Sequence, residues 1–226
     1  MFNNCLVCDN SFHDDCCFSD LIWPNLNVNP LCRDCRNKIE LLSGKKCEDC
    51  GRISVAQVCQ DCLYWRTKFD FNLSNCSLIC YNDWMKEFMH QYKFVGDYRL
   101  RLVFLEKLAD KFKNQIAKSD FVIPIPVSEK TLKTRGFNQV TGLFDFAKNK
   151  MAIGILQVKP KEQLSKLNRH QRLEKENLFY LNEVPIKDKS ILLLDDVYTT
   201  GMTLHQAAMV LYKAGAKKVT SITLAR

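Results

Sequence analysis

From residue 67 onward the chain alternates short aliphatic runs with amphipathic stretches of ten or more residues. "CSLICYN" reads as a strand. "DWMKEFMHQYK" has apolar positions at helical spacing and opens on Asp83, which reads as its cap. "DYRLRLVFLEKLADKFKNQIAK" predicts one long helix, with Leu102, Leu105, Leu108, Ala109 and Phe112 on its apolar face. "DFVIPIP" predicts a short buried strand closed by prolines, and "FNQVTGLFDFAKNK" another helix. "AIGILQVK" and "SILLLDD" predict aliphatic strands, the second buried on both faces. "LHQAAMVLYKAGA" predicts a helix stopped at Gly215, and "KKVTSITLAR" a final strand. Strands alternating with helices of this length predict an α/β fold with a parallel sheet covered on both sides.

Residues 1–66 follow a different pattern. They hold few aliphatics and four Cys-x-x-Cys pairs: Cys5/Cys8, Cys32/Cys35, Cys47/Cys50 and Cys59/Cys62. Two intervening residues let one tight turn aim both sulfurs at one ion, and two such turns complete a tetrahedral thiolate site suited to zinc. The last two pairs lie close together, and Gly51 supplies a permissive backbone just after "CEDC". The first two pairs are separated by a longer insert. They form a second four-sulfur site, or pairs cross over between the halves; both arrangements fit the spacing. Cys16 and Cys17 offer alternative ligands, His13 reads as an exposed loop residue, and Cys76 and Cys80 read as buried core thiols. So small an aliphatic content gives zinc a structural role, because all-thiolate sites leave no open position for substrate. The expected organisation is a cysteine-rich zinc-binding domain at 1–66 and an α/β domain at 67–226.

Composition narrows the class. A hydrophobic content of 46% and a charged content of 26% are those of a globular protein and exclude a disordered chain. No apolar run reaches the roughly 18 residues of a bilayer span, and "MFNNCLVCDN" lacks the basic flank and apolar core of a signal peptide. The expected location is the cytoplasm, with no membrane insertion. Twelve cysteines in a reducing compartment favour metal over disulfides. The net charge of +8 is uneven: residues 1–66 carry 7 Lys+Arg against 9 Asp+Glu, so the surplus belongs to the remainder. A phosphate-bearing partner, nucleic acid or a phosphorylated small molecule, accounts for that surplus. A plain solvated surface accounts for it equally.

One stretch carries specific chemistry: "ILLLDDVYTTGMTLHQAA", beginning at Ile191. Aliphatics end in two acids, then a hydroxyl- and glycine-bearing turn enters a helix. In a parallel sheet this turn lies at the carboxyl end, where such folds bind ligands. The main-chain NH groups of residues 198–203, with Thr199, Thr200 and Thr203, form a cup for phosphate at a helix N-terminus. Gly201 allows close approach. Asp195 and Asp196 cannot bind that phosphate; they suit neighbouring sugar hydroxyls or a magnesium shell. Phosphate beside a diol describes a ribose 5-phosphate.

"LLLDDVYTTGMT" resembles the motif by which type I phosphoribosyltransferases bind phosphoribosyl pyrophosphate (PRPP), with Tyr198 where an aliphatic is usual. "RGFNQ" (Arg135, Gly136, Asn138, Gln139), "KEQLSKLNRHQR" (Gln163, Arg169, Arg172), "YKFVGD" (Lys93, Gly96, Asp97) and the cysteine pairs together look like the ComF family over essentially the whole chain. That resemblance implies a competence protein of natural transformation. It would act at the inner face of the DNA uptake machinery with a ComFA-type DNA helicase and incoming single-stranded DNA. It implies that Asp195 and Asp196 meet the ribose hydroxyls of PRPP bound with magnesium, that the turn 199–203 holds the phosphate, and that Arg135 approaches the pyrophosphate.

Residues 159–175 hold six Lys/Arg against two Asp/Glu; Lys161, Lys166, Arg169 and Arg172 are candidate nucleic-acid contacts, beside His170, or an exposed basic loop. Phe137 and Tyr198 are too scattered to mark a base-stacking track. No catalytic residue and no nucleobase-recognising hood can be identified, which favours a binding module. The alternative is an active phosphoribosyltransferase releasing pyrophosphate from PRPP onto an unidentified acceptor.

Overall fold

The computed structural model describes residues 3–12, 30–159 and 177–226. At the start, β1 (Asn3–Asn4) and β2 (Ser11–Phe12) pair antiparallel, with Cys5 and Cys8 in the connection between them. The short helices α1 (Arg33–Asn37) and α2 (Gln60–Lys68) begin immediately after Cys32 and Cys59. The knuckle before α2 lies against the next strand, β3 (Ser74–Ile79). Gly51 there has a φ of 71°, and a Cβ would fall 2.9 Å from the Asn75 carbonyl oxygen.

Helix α3 (Asp83–His90) runs into a π-helical turn, Gln91–Val95, that ends at Gly96 in the left-handed region. A 3-10 turn, Tyr98–Val103, leads to α4 (Leu105–Lys118) and β4 (Phe121–Pro124). Helices α5 (Glu129–Arg135) and α6 (Gln139–Leu143) and a second 3-10 turn, Asp145–Lys150, follow. The hairpin β5 (Leu156–Val158) and β6 (Phe179–Leu181) precedes β7 (Ser190–Val197), α7 (Met202–Lys213) and β8 (Lys218–Ala225).

Strands β3, β8, β7 and β4 form one parallel sheet in that order, as the alternation of elements predicts. Residues 191–196 of β7 are all buried, so this strand is covered on both faces. On one face Leu192, Leu194, Ile222 and Leu224 pack with Phe88, Leu108, Phe112 and Leu143 from α3, α4 and α6. On the other, Ile191, Leu193 and Val219 pack with Leu204, Ala207 and Leu211 of α7. Cys47, Cys50, Cys59 and Cys62 belong to this same second core. Among the described residues no helix is long and apolar enough to cross a membrane.

Several local expectations change. The cap of α3 is Asn82, whose side chain accepts from the Met85 NH at 3.0 Å; Asp83 pairs instead with Lys86. The long helix expected through residues 97–118 is broken at Phe104, which leaves helical geometry and is fully buried against Phe88 with ring centroids 5.1 Å apart. Burying that ring outweighs continuing the helix. Phe144 interrupts the next expected helix in the same way, dividing it into α6 and a 3-10 turn. "AIGILQVK" supplies only β5, which pairs antiparallel with β6 outside the parallel sheet. Helix α5, capped by Ser128, was not expected in the "RGFNQ" approach. Cys76 is exposed and Cys80 half-buried, not core thiols. Asn75 and Ser77 take the covered side of β3, in a buried polar network with Ser221 and Thr223, and the strand's alternation turns Cys76 outward.

Phe104 closes the aromatic group formed with Trp84 and Phe88. Phe104→Ala should cost about 3–5 kcal/mol of unfolding free energy. Equilibrium denaturation in urea, with unchanged zinc content as a control for the cysteine sites, measures it.

Candidate functional site

Strand β7 carries the acid pair to its carboxyl end. Asp195 and Asp196 are buried, and the Asp196 NH donates to Asp195 Oδ1 at 2.9 Å. Burial first, and then the charge of Asp196, raise the Asp195 pKa well above the ordinary carboxylate value. Lys93, on the π-helical turn, places its ammonium 2.8 Å from Asp196 Oδ2. The approach is an ion pair only, out of line for a hydrogen bond, so Oδ2 keeps unused accepting capacity. A π-helical turn is an uncommon element that recurs at functional sites. Here it carries Lys93, the cation on the acid pair.

Arg135 joins the same wall. Its Nε donates to the Lys93 carbonyl at 2.8 Å, its Nη1 donates to Gln139 Oε1, and its guanidinium lies over Phe94. Arg135 therefore reaches the acid pair through Lys93. Asn138 caps α6 and donates to the Ile125 carbonyl, tying this wall to the end of β4. Phe137 is an anchor, packed in tilted contact with Tyr92 and Tyr98 at centroid distances of 5.2 and 4.8 Å. Lys93 and Arg135 also line a cavity of about 860 Å³, together with Lys130, Lys159, Phe94 and Tyr180. Its lining is cationic with exposed apolar surface, which suits an anionic ligand bearing a flat or apolar part.

The turn after β7 runs from Tyr198 to the start of α7. Thr199 and Thr200 are exposed, Thr203 is partly so, and Gly201 is the left-handed residue before the helix, with φ 85°. The cup is one residue smaller than expected, because the Tyr198 NH donates to Ala225 at 2.9 Å and continues the β7–β8 pairing. Thr200 Oγ1 accepts from the Met202 NH at 3.4 Å. Tyr198 is buried beneath the turn, and a Cβ on Gly201 would fall 2.2 Å from its hydroxyl. Glycine at 201 is therefore demanded twice, by φ and by the ring below.

The underside of the turn meets residues that the sequence reading missed. Arg226 donates from Nη1 to the carbonyls of Tyr198 and Thr199, lies over the Tyr198 ring, and donates from Nη2 to Cys50 Sγ at 3.3 Å. Trp65 of α2 donates from Nε1 to the Thr200 carbonyl at 2.9 Å. His205 stacks on Trp65 at 4.6 Å, and its Nδ1 lies 2.9 Å from the Gly201 carbonyl oxygen, so Nδ1 carries the proton. Burial keeps the His205 pKa below its ordinary value, and the ring is neutral at pH 7. The local signal was slight: a tryptophan three residues past "CQDC", and a histidine one turn into α7. Neither discloses a contact spanning 135 residues of sequence.

The cysteines form two quartets, Cys5/Cys8/Cys32/Cys35 and Cys47/Cys50/Cys59/Cys62, with the four sulfurs of each within 4.8 Å of one another. Pairs do not cross between halves. The Cys8–Cys32 and Cys50–Cys59 sulfurs are 3.7 Å apart. Zinc–sulfur bonds of about 2.3 Å in a tetrahedron place sulfurs roughly 3.7–3.8 Å apart, so both quartets fit zinc. Among the free thiols, the hydrogen bond with Cys62, followed by that from Arg226, brings Cys50 down to about 4, a ready thiolate ligand. Lys161, Lys166, Arg169 and Arg172, with His13, Cys16, Cys17, Gln163 and His170, lie outside the described residues.

A parallel sheet covered on both faces, with an acid pair at the end of an inner strand and a threonine–glycine turn leading into the next helix, has the architecture of a phosphoribosyltransferase-type domain. The phosphoribosyl transferase domain family matches residues 102–226. The chain is 35% identical to competence protein ComFC of Streptococcus pneumoniae over 222 residues, covering 98% of this chain and 99% of that one. It is 36% identical to competence protein ComFC of Bacillus subtilis, covering 98% and 94%. Competence protein F of Haemophilus influenzae is 28% identical, covering 89% and 93%. The chain belongs to the phosphoribosyl transferase domain family, in its competence protein ComFC branch.

Two outcomes follow from this geometry. Zinc analysis of the purified chain should return two ions, falling to one in Cys5→Ser and to one in Cys47→Ser. The second concerns pH. An unfolded imidazole takes up a proton near pH ~6.5 and folded His205 does so only at lower pH, so protonation favours the unfolded chain as pH falls. The stability His205 contributes is present above ~6.5 and is lost as pH drops through that value. Thermal unfolding at pH 7.5 and 5.5 should show a smaller drop in His205→Asn than in the parent.

Proposed function

We propose that this chain binds PRPP at residues 195–203 and serves natural transformation, handling incoming single-stranded DNA beside a ComFA-type helicase. The observation that carries the reading is the junction of β7 and α7. It sets two buried carboxylates beside an exposed turn of threonines at a helix N-terminus. A ribose phosphate presents the matching chemistry: vicinal hydroxyls for Asp195 and Asp196, and a phosphate for the NH groups and hydroxyls of 199–203. Lys93 offsets the negative charge of Asp196 and, with Arg135, forms the cationic wall that a pyrophosphate would face. Magnesium bound with PRPP would share its charge with the same acids. Full-length similarity to ComFC proteins supports the transformation role.

Zinc in the two quartets is structural in this reading, and residues 1–66 and 67–226 are its two parts. The basic surplus of residues 67–226 favours a polyanionic partner. Lys161, Lys166, Arg169 and Arg172 are its candidate contacts. Localisation at the cytoplasmic side of the uptake machinery follows from that role.

A second reading, an active transferase, has one specific observation in its favour. The 860 Å³ cavity shares Lys93 and Arg135 with the acid pair, so an acceptor seated there would lie beside the PRPP site. Pyrophosphate release that depends on an added acceptor distinguishes it from binding alone.

Calorimetric titration of the zinc-loaded chain with PRPP and magnesium should show saturable binding. Asp195→Asn with Asp196→Asn should weaken it by about tenfold or more, each charged hydrogen bond contributing about 1.5–3 kcal/mol. Unchanged affinity removes the acids from the site. Anisotropy of a labelled oligothymidine should show binding that falls steeply with salt; a flat salt response argues against phosphate contacts.

A further inference from the structure

The carbonyls of residues 198, 199, 200 and 201 are each held from below by a named side chain. Arg226 takes the first two, Trp65 the third and His205 the fourth. No peptide bond here is cis. In a planar trans peptide the carbonyl of one residue and the NH of the next point in opposite directions. Fixing these four oxygens downward therefore turns the NH groups of residues 199–202 upward, toward the exposed face of the turn, where that of Met202 meets Thr200 Oγ1 at 3.4 Å. An anion-receptive row of NH groups is thus set by what lies beneath it.

What lies beneath it is the second cysteine quartet. Arg226 is anchored on Cys50 Sγ, and Trp65 stands on α2, whose first turn carries Cys62 and whose N-terminal boundary is Cys59. Asp49, inside the same knuckle, grips Arg66 next to Trp65 through two hydrogen bonds of 2.9 Å. Phe69 and Phe71 stack in series over His205 and confine the ring that holds Gly201. The first quartet packs elsewhere, against Val7, Phe12, Ile39, Trp84 and Val103.

We infer that the quartet Cys47/Cys50/Cys59/Cys62 sets the phosphate turn. Arg226, Trp65 and His205 are its positioning residues, so zinc at this quartet and ligand at residues 199–203 stabilise each other, while the first quartet is not coupled. The ligand half of this rests on the PRPP reading; the structural half does not. By linkage the effect is reciprocal: whatever zinc adds to ligand affinity, ligand adds to zinc retention.

The test uses the full zinc-loaded chain. Nitrogen relaxation gives the order parameters of the amides at 199–203 in the parent, Cys5→Ser, Cys59→Ser, Trp65→Phe and Arg226→Met. Trp65→Phe keeps the stacked ring and both zinc ions while removing one donor, so a loss of fold in Cys59→Ser does not cloud the result. The turn should read about 0.85 in the parent and Cys5→Ser, and fall toward 0.6 or below in the other three. Separately, zinc release to a chelator is followed with and without PRPP. PRPP should slow release of one ion of the two by about tenfold, and Arg226→Met should abolish that protection.

Unchanged order parameters in Trp65→Phe and Arg226→Met overturn the inference. So does equal PRPP protection of both zinc ions, or PRPP affinity in both variants equal to the parent's. If the parent binds no PRPP yet the turn loosens in the three variants, the coupling stands and the PRPP reading falls.

Discussion

Two adjacent carboxylates buried at the end of a strand covered on both faces impose the constraint on which this site depends. A buried charge is costly unless it is paired, and two side by side add their mutual repulsion. The chain answers locally with Lys93, carried on a π-helical turn that sets its ammonium on Asp196. Arg135 in turn holds the Lys93 carbonyl, and Gln139 holds Arg135. Part of the acid pair's capacity stays unsatisfied, at Asp196 Oδ2. A buried carboxylate oxygen met by one ammonium alone still has lone-pair capacity that a ligand hydroxyl or cation can complete.

The second constraint is the thickness of the sheet's cover. Helix α7 supplies only part of the second core; the hairpin residues Ile155, Leu156 and Phe179 and the cysteine quartet around Cys47 join it there. A knuckle of this kind brings little aliphatic surface, so a tetrahedral ion would supply the cohesion that side chains do not. Its position also brings α2 and Trp65 under the turn. The cysteine-rich segment is thus a structural neighbour of the site and not a distant appendage.

Much of this was legible in the sequence. The strand–turn–helix around Asp195 lies within eighteen consecutive residues, so its elements and its place at the sheet's carboxyl end could be read directly. The parallel sheet followed from alternation, and Gly215 lies where expected, left-handed just past α7. The failures have a common form. Phe104 and Phe144 break helices that periodicity would continue, because each ring gains more from the core than its backbone loses by leaving the helix. Cys76 turned outward because the covered side of β3 is occupied by hydrogen-bonded Asn75 and Ser77, which hydrophobicity alone does not anticipate.

The sequence by itself determined the local chemistry: thiolate pairs spaced for metal, acids before a glycine-bearing turn, and the alternation of parallel strands with helices. These are set by short-range geometry, in which two to five residues decide what a turn can do. The tertiary structure alone decided which cysteine pairs share a quartet, that Lys93 neutralises Asp196, and that Trp65 and Arg226 hold the underside of the turn. Those contacts join residues 27, 103, 135 and 176 positions apart. They exist only because strand order and helix packing bring the segments together, and a one-dimensional pattern does not encode that meeting in any single stretch.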